Sequence, residues 1–255
     1  MKRFIVFLSL FFCSVAHADT ETINWYMDDN VYATTTCESG GDITLPTAPT
    51  KYGYTFQGWN GYRRIEYIES TGRQYINTGV MFSGTKVEVD LKFSPQGNVN
   101  HRGAYAFTGT EWNFTVSNVA PGKLCFYHGS INGAARTDLH IDISVGSIYV
   151  LDMIQENNLF TYRINGVENS VNTTINYTVD YPYILFGTAY GNSLGRELSA
   201  MKLYYAKIYK NDVLIRDMIP VLDANNVPCM YDKVSQQFFY NSGTSDFIAG
   251  PVVNE

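Results

Sequence analysis

Apolar and polar residues alternate along much of this chain with a period of two rather than the period of a helix. In the segment KVEVDLKF, charged residues occupy one face and apolar residues the other, the apolar set being Val87, Val89, Leu91 and Phe93. No window of useful length places apolar residues at helical spacing. The pattern predicts strands and turns with almost no helix.

Turn-forming residues separate the predicted strands. Residues 156–158 (ENN), the pair Asn165-Gly166 and the pair Asn211-Asp212 each lie between two apolar runs. Asn-Gly is favoured in two-residue hairpins because both positions need a positive φ. The run IYVLDMI at 148–154 is predicted to be a strand buried on both faces. Short strands with frequent turns indicate an all-β sandwich or barrel.

The first residues predict export. Two cations, Lys2 and Arg3, precede an apolar run, and Ala16-His17-Ala18 fits a signal-peptidase site. We therefore predict a signal peptide at 1–18 and a secreted, cell-surface or periplasmic protein. The alternative, an uncleaved anchor helix, is disfavoured by the short apolar run.

Charge narrows the range of partners. Cleavage would remove two of the 18 cations and leave the 24 acidic residues, for a net charge of about −8. A chain so acidic, with no basic run, does not fit a nucleic-acid backbone, and no later apolar segment is long enough to insert into a membrane. The expected partners are a glycan or a surface protein, and the oligomeric state is left open.

Cysteine and histidine spacing gives no metal site. Cys37, Cys125 and Cys229 would remain after cleavage, an odd number that leaves at least one thiol unpaired and the pairing open. They lack CxxC spacing, and the histidines show no ligand-like spacing. No cofactor is predicted. A structural calcium ion is left open, without assigned ligands.

Residues 19–61 form a small segment rich in Thr, Gly and Pro. Its stretches GGDITLP and PTKYGYTF and its closing GW resemble the Listeria–Bacteroides repeat, or internalin B-type repeat, a β-module of secreted and surface proteins. Tyr54, Phe56 and Trp59 are expected to supply most of a small core. A segment this short buries little surface alone, so it should depend on a neighbour.

A second type of sequence begins at Tyr62, after the segment rich in Thr, Gly and Pro. The opening EYIESTGRQYINTG and the closing stretch from KIYKND to SDFIAGP resemble the concanavalin A-like, laminin G-like superfamily of bacterial surface and phage proteins. The resemblance implies a two-sheet jelly-roll β-sandwich over 62–251, followed by a tail at 252–255. It also implies that the first and last strands of the domain lie close together.

Some sandwiches of this superfamily are glycoside hydrolases, and laminarinase-type members carry Glu-x-Asp-x-Glu on one strand. This chain has Glu88, Asp90 and then Lys92 where the acid/base residue should stand. A lysine cannot perform the proton transfer of that carboxyl group. Lys92 is also expected to keep Asp90 ionised. The sequence therefore predicts that the protein is not an enzyme.

Binding is the remaining class of function. Sugar-binding sandwiches use exposed aromatic, amide and charged side chains, from loops or from a sheet face. Three predicted loops offer such residues, and the candidate ligand-binding set is His101, Arg102, Arg136, Tyr190 and Asn192. The leading hypothesis is glycan recognition or adhesion. The alternatives are a structural or assembly component of the bacterial envelope and a divergent glycoside hydrolase.

Overall fold

A computed structural model describes most of the chain. The described residues are 2–11, 20–27, 30–38, 43–82, 85–97, 106–110, 114–117, 122–128, 135–172, 181–190 and 193–253. All regular secondary structure in these ranges is β-strand, so the all-β prediction is confirmed. Over the same ranges, no helix has the length and apolar character needed to cross a bilayer.

The chain divides into two compact units. Unit 1 is made of Met1–Glu66, Val221–Val227 and Pro251–Glu255, and unit 2 is made of Tyr67–Pro220 and Pro228–Gly250. The boundary that the sequence suggests, after residue 61, stays a prediction.

Unit 1 is a mixed sheet. Its strands are β1 (Lys2–Phe11), β2 (Thr20–Met27), β3 (Asn30–Glu38) and β4 (Tyr54–Arg64). They follow the order β4-β1-β2-β3, with β1 parallel to β4 and antiparallel to β2. Ile23 and Trp25 are buried and pack against Ala33 and Cys37. The side chains of Tyr54, Phe56 and Trp59 lie outside the description, so their predicted role stays a prediction.

The segment predicted as a signal peptide overlaps β1. Backbone pairing joins Phe7 to Tyr26 of β2 and Phe4 to Phe56 of β4. Removal of residues 1–18 would take β1 away from between β2 and β4.

Unit 2 holds the remaining strands. They are β5 (Ile68–Thr71), β6 (Ile76–Met81), β7 (Lys86–Pro95), β8 (Ala106–Thr110), β9 (Phe114–Ser117), β10 (Lys123–His128), β11 (Ala135–Asp142), β12 (Tyr149–Glu156), β13 (Leu159–Ile164), β14 (Val167–Asn172), β15 (Pro182–Leu185), β16 (Thr188–Tyr190), β17 (Ser193–Arg196), β18 (Ala200–Lys210), β19 (Val213–Asp223), β20 (Pro228–Asp232), β21 (Gln237–Phe239) and β22 (Ile248–Ala249). The last three residues of β19 belong to unit 1, where they pair with β4.

Unit 2 is a two-sheet sandwich. The larger sheet has the order β14-β13-β12-β7-β18-β19, and β5 also pairs with β18. The smaller sheet has the order β11-β10-β9-β8-β15-β6, and β16 pairs with β17 in a separate hairpin. This arrangement confirms the predicted β-sandwich.

Aromatic residues fill the space between the two sheets. Phe93 of the larger sheet lies 5.2 Å, between ring centroids, from Phe107 of the smaller sheet. Phe160 of the larger sheet lies 5.8 Å from Phe114 and 5.4 Å from Phe126. All five are buried. Large interlocking rings of this kind supply much of the apolar burial that stabilises a sandwich.

Strand parity and turn positions agree well with the sequence. Val87, Val89, Leu91 and Phe93 are all buried, as predicted. Asn165 and Gly166 both have a positive φ between β13 and β14, so the predicted Asn-Gly turn is confirmed.

Two burial predictions are wrong. Strand β12 alternates between buried and solvent-facing positions instead of being buried on both faces, and Val150 is 37% exposed. Its outward side chains continue the solvated face of the neighbouring β7. The run Phe238-Phe239-Tyr240 in the sequence also predicts three core side chains, but the structure leaves Phe238 and Phe239 half-buried and Tyr240 exposed. In the hairpin of β20 and β21, it is Cys229, Met230 and Tyr231 that are buried.

The two ends of unit 2 are paired. Strand β22 pairs with β5, and the Gly250 nitrogen donates to the Tyr67 carbonyl at 2.9 Å. The buried side chain of Gln74 donates from Nε2 to the Asp246 carbonyl at 2.9 Å, and its Oε1 accepts from the Thr71 nitrogen at 2.9 Å. The opening and closing sequence signatures of the domain therefore contact each other, as expected.

Candidate functional site

The outward surface of the larger sheet carries a half-buried set of tyrosine, lysine and carboxylate side chains. We call it the tyrosine face. Its residues are Tyr67 and Glu69 next to and in β5; Glu88, Asp90 and Lys92 in β7; Asp152 in β12; and Lys202, Tyr204, Tyr205, Lys207 and Tyr209 in β18. All eleven belong to unit 2.

A β-bulge places two consecutive tyrosines on this face. The pairing of β18 with β7 shifts register between Leu203 and Tyr205. Leu203 and Ala206 are fully buried, whereas Tyr204 and Tyr205 are half-buried. A bulge adds one residue to a strand and turns its side chain to the face of its neighbour. The face therefore gains a tyrosine that strict alternation would have placed in the core.

Three lysines of the face lie against three tyrosine rings. The Nζ of Lys202 is 4.3 Å from the ring centroid of Tyr67, and that of Lys92 is 5.2 Å from the centroid of Tyr204. The Nζ of Lys207 is 5.7 Å from the centroid of Tyr205. Such cation–π contacts hold a flexible lysine stem along the ring. The rings and ammonium groups together form a surface that is partly aromatic and partly hydrogen-bonding.

A carboxyl pair lies beside the tyrosines. Asp90 and Asp152 are direct partners in the pairing of β7 with β12. The Tyr205 hydroxyl donates to Asp90 Oδ1 at 2.8 Å, and Lys207 is the partner of Asp90 in β18. Burial raises the pKa of Asp90 to about 6, and the neighbouring carboxylate of Asp152 adds to the rise.

The expected effect of Lys92 on Asp90 is wrong. The Lys92 amine lies over the Tyr204 ring, and the cation that lowers the pKa of Asp90 is Lys207. Its contribution is smaller than that of burial, so the net direction is upward. Burial likewise raises the pKa of Glu88.

Opposite charges are interleaved across the face. Lys202 Nζ lies 3.9 Å from Glu69 Oε2, and Arg163 Nη1 of the adjacent β13 lies 3.8 Å from Asp152 Oδ2. With Lys207 beside Asp90, most carboxylates have a cation nearby. The face therefore carries many charged groups but little net charge.

The predicted loop residues cannot be assembled into a site. His101, Arg102 and Asn192 lie outside the described residues, and so do the side chains of Arg136 and Tyr190. The backbone of Arg136 lies in β11 and that of Tyr190 in β16, two strands that do not pair with each other. These five residues stay sequence-based predictions.

The tyrosine face was missed by sequence reasoning. The spacing of Glu88 and Asp90 is visible in the sequence, but Asp152 becomes their neighbour only through strand register. The one available signal was the pair Tyr204-Tyr205, where the alternation of β18 breaks. A break of that kind indicates a bulge.

No metal centre is seen in the described part of the chain, where no group of three or more His, Cys, Asp or Glu side chains could hold an ion. Cys37, Cys125 and Cys229 form no disulfide bond with one another, and the last two are buried.

Comparison with known proteins supports the module and the fold. Residues 22–75 match the Listeria–Bacteroides repeat domain. No curated protein matches the chain. A solved structure from Bacteroides ovatus, provisionally named a carbohydrate binding protein, is similar over 92% of this chain and 70% of its own, with a TM-score of 0.52 and 11% identity.

A second solved structure, the native heptameric SAP-like pentraxin of Limulus polyphemus, is similar over 57% of this chain and 70% of its own, with a TM-score of 0.37 and 10% identity. At such identities the first likeness shows the fold alone.

Proposed function

We propose that this protein is an exported, non-catalytic glycan-binding protein and that its tyrosine face is the binding surface. The observation that carries the proposal is the set of three tyrosine–lysine pairs beside the Asp90–Asp152 carboxyl pair. The name of the Bacteroides ovatus structure, which concerns carbohydrate binding, points in the same direction.

The chemistry of the face suits a sugar. The apolar side of a sugar ring packs on an aromatic ring, and its hydroxyl groups need donors and acceptors around the edge. Tyr204 and Tyr205 supply rings, Asp90 and Asp152 supply acceptors, and Lys92 and Lys207 supply donors. Because tyrosine and bulge-fixed strands lose little conformational freedom on binding, the surface is largely preorganised.

A glycan array tests the proposal. The Tyr204→Ala protein should lose about ten-fold in affinity for the glycan that wild type binds, because one stacking contact is worth about 1 kcal/mol or slightly more. Tyr52→Ala is the matched control, since Tyr52 lies in unit 1 and is fully exposed. Equal binding by the two variants, or no glycan signal from the wild type, would contradict the proposal.

Hydrolysis is the second candidate, and one observation favours it: Asp90 has a raised pKa, as a catalytic acid requires. Against it, Lys92 stands where the Glu-x-Asp-x-Glu pattern of laminarinase-type enzymes has its acid/base residue. Reducing-sugar release from β-glucans and galactans decides the matter. Turnover by wild type that disappears in Asp90→Asn or Glu88→Gln would establish an enzyme.

Export is part of the proposal. The Listeria–Bacteroides repeat and the sequence of residues 1–18 support it. Mass spectrometry of the protein outside the cytoplasm should find Asp19 as the first residue, and an intact Met1 would contradict it. An envelope assembly role, acting through protein contacts, is the alternative if no glycan binds.

A further inference from the structure

The tyrosine face is longer than a site for one sugar requires. Along β18, the outward residues are Lys202, Tyr204, Tyr205, Lys207 and Tyr209. From Lys202 to Tyr209 the strand rises about 23 Å, at about 3.3 Å per residue. Aromatic rings lie towards both ends of this row, with a lysine and the Asp90 carboxyl group between them.

Resting on the proposed function, we infer that the ligand is an extended, uncharged polysaccharide that lies along β18 and places several consecutive sugar rings on the face. A single sugar can contact Tyr204 or Tyr209 but is too small to contact both. A chain can stack one ring near Tyr204, hydrogen-bond a middle ring to Asp90 and Lys207, and stack another near Tyr209.

Sheet geometry supports a ligand that follows the strand. The bulge at Tyr204 and Tyr205 places two consecutive tyrosines on the face towards one end of the row. The Tyr205 hydroxyl is held by Asp90, which fixes the orientation of that ring. On the neighbouring strand, Lys92, Asp90 and Glu88 run parallel to the row as a line of polar groups. A linear chain would therefore meet rings along one side and polar groups along the other.

Charge complementarity favours an uncharged chain. Glu69 and Asp152 each lie within 4 Å of a cation, and Lys207 is the strand partner of Asp90. A polyanion would meet Glu88 and Asp90, and a polycation would meet Lys92 and Lys207. Neither sign is favoured along the row. Neutral hydroxyl groups, by contrast, can use both the donors and the acceptors.

Titration calorimetry with oligosaccharides of increasing length tests this inference. The probes are neutral ladders of cello-, laminari-, malto- and xylo-oligosaccharides, each starting from the monosaccharide, and an anionic ladder of oligogalacturonates. Affinity for one neutral ladder should rise at least ten-fold from the monosaccharide to the longest member and then level off. The anionic ladder should bind more weakly than that neutral ladder at every length.

Variants at the two ends sharpen the test. Tyr204→Ala and Tyr209→Ala should each weaken the longest neutral oligomer by about five- to ten-fold, and the double variant should lose roughly the product of the two effects. Tyr209→Phe keeps the ring and should bind nearly as wild type does, which separates stacking from a loss of folding. Tyr52→Ala serves as the control.

The outcomes separate the two ideas. If a monosaccharide binds as tightly as the longest oligomer, if Tyr209→Ala has no effect, or if oligogalacturonates bind best, the inference is wrong while glycan binding stands. If no oligosaccharide in any ladder binds and the glycan array is also blank, both the inference and the proposed function fail.

Discussion

The pKa of the Asp90 carboxyl group is set by the residues that surround it. It faces Asp152 from β12, Tyr205 and Lys207 from β18, and lies between Glu88 and Lys92 on its own strand. Desolvation and Asp152 disfavour its charged form, while Tyr205 and Lys207 favour it, and the balance leaves its pKa at about 6. The residue is therefore partly protonated in mildly acidic surroundings.

This shift predicts a pH-dependent stability. Because the pKa of Asp90 is raised from 3.8 to about 6, the folded state holds its proton more tightly than the unfolded state does. Its contribution is most favourable below about pH 4 and is lost as the pH rises through about 6. Between those limits, wild type should lose about 1–2 kcal/mol more unfolding free energy than Asp90→Asn, after a reduction for solvent screening.

Chemical denaturation of both proteins across this pH range measures the difference. The asparagine can still accept from the Tyr205 hydroxyl, so the packing is kept. Parallel pH curves for the two proteins would show that Asp90 does not titrate in this way.

Among the elements, the hairpin of β20 and β21 depends on one buried carboxylate. Asp232 Oδ1 accepts from the nitrogens of Asp217 at 2.7 Å and Val234 at 3.2 Å. Its Oδ2 accepts from the nitrogen and the hydroxyl of Ser235, at 3.1 and 2.6 Å. Arg216 Nη1 lies 3.6 Å away. The side chain thus ties the turn to the adjacent β19.

Replacing Asp232 should therefore be costly. Asp232→Ala leaves buried donors without an acceptor and should lower the unfolding free energy by about 2–4 kcal/mol. Asp232→Asn keeps one oxygen and should lose less. Asp142→Ala is the control, because Asp142 is exposed and its ion pair with Lys123 lies at the surface. Thermal denaturation of the three variants measures the difference. A melting temperature for Asp232→Ala equal to that of Asp142→Ala would contradict the proposed role of Asp232.

Strands and turns could largely be predicted from the sequence because they depend on neighbours along the chain. The alternation in β7 and the positive-φ pairs at Asn165-Gly166 and Asn211-Asp212 need no tertiary information. Which side chains are buried near the ends of strands could be predicted less well. Phe238 and Tyr240 are as apolar as core residues, but their hairpin places Met230 and Tyr231 inside instead.

The candidate site could not be predicted in the same way. It depends on which strands become neighbours, and β7, β12 and β18 are separated by many residues in the sequence. Asp152 and Lys207 meet Asp90 only through that register. The sequence favours loop residues such as His101 as ligand-binding candidates because binding residues often lie in polar loops. A sheet face of mixed charges has no comparable signature.

For the whole molecule, the chain crosses between its two units more than once. Tyr62–Arg64 pairs with Val221–Asp223 within unit 1, and the Val253 nitrogen donates to the Arg64 carbonyl at 2.9 Å. A fragment that begins at residue 62 keeps these contacts, whereas a fragment of 19–61 lacks them. We therefore expect 62–253 to unfold cooperatively on heating and 19–61 to show no sharp transition.

Calorimetry on the two separately expressed pieces measures this. The larger piece has enough chain to bury the aromatic layer between its sheets, while few of the side chains described in the smaller piece are buried. A sharp transition in the 19–61 piece would show that it folds independently.

The paired ends of unit 2 also determine how it would respond to force. The chain enters β5 from Tyr67 and leaves β22 at Gly250, at the same end of this antiparallel pair. The Gly250 nitrogen donates to the Tyr67 carbonyl at 2.9 Å. Tension applied through the chain would act on this pair from one end, so its hydrogen bonds would break one after another rather than together. Unit 2 would then open from this paired end, one hydrogen bond at a time, before the force reached its aromatic core.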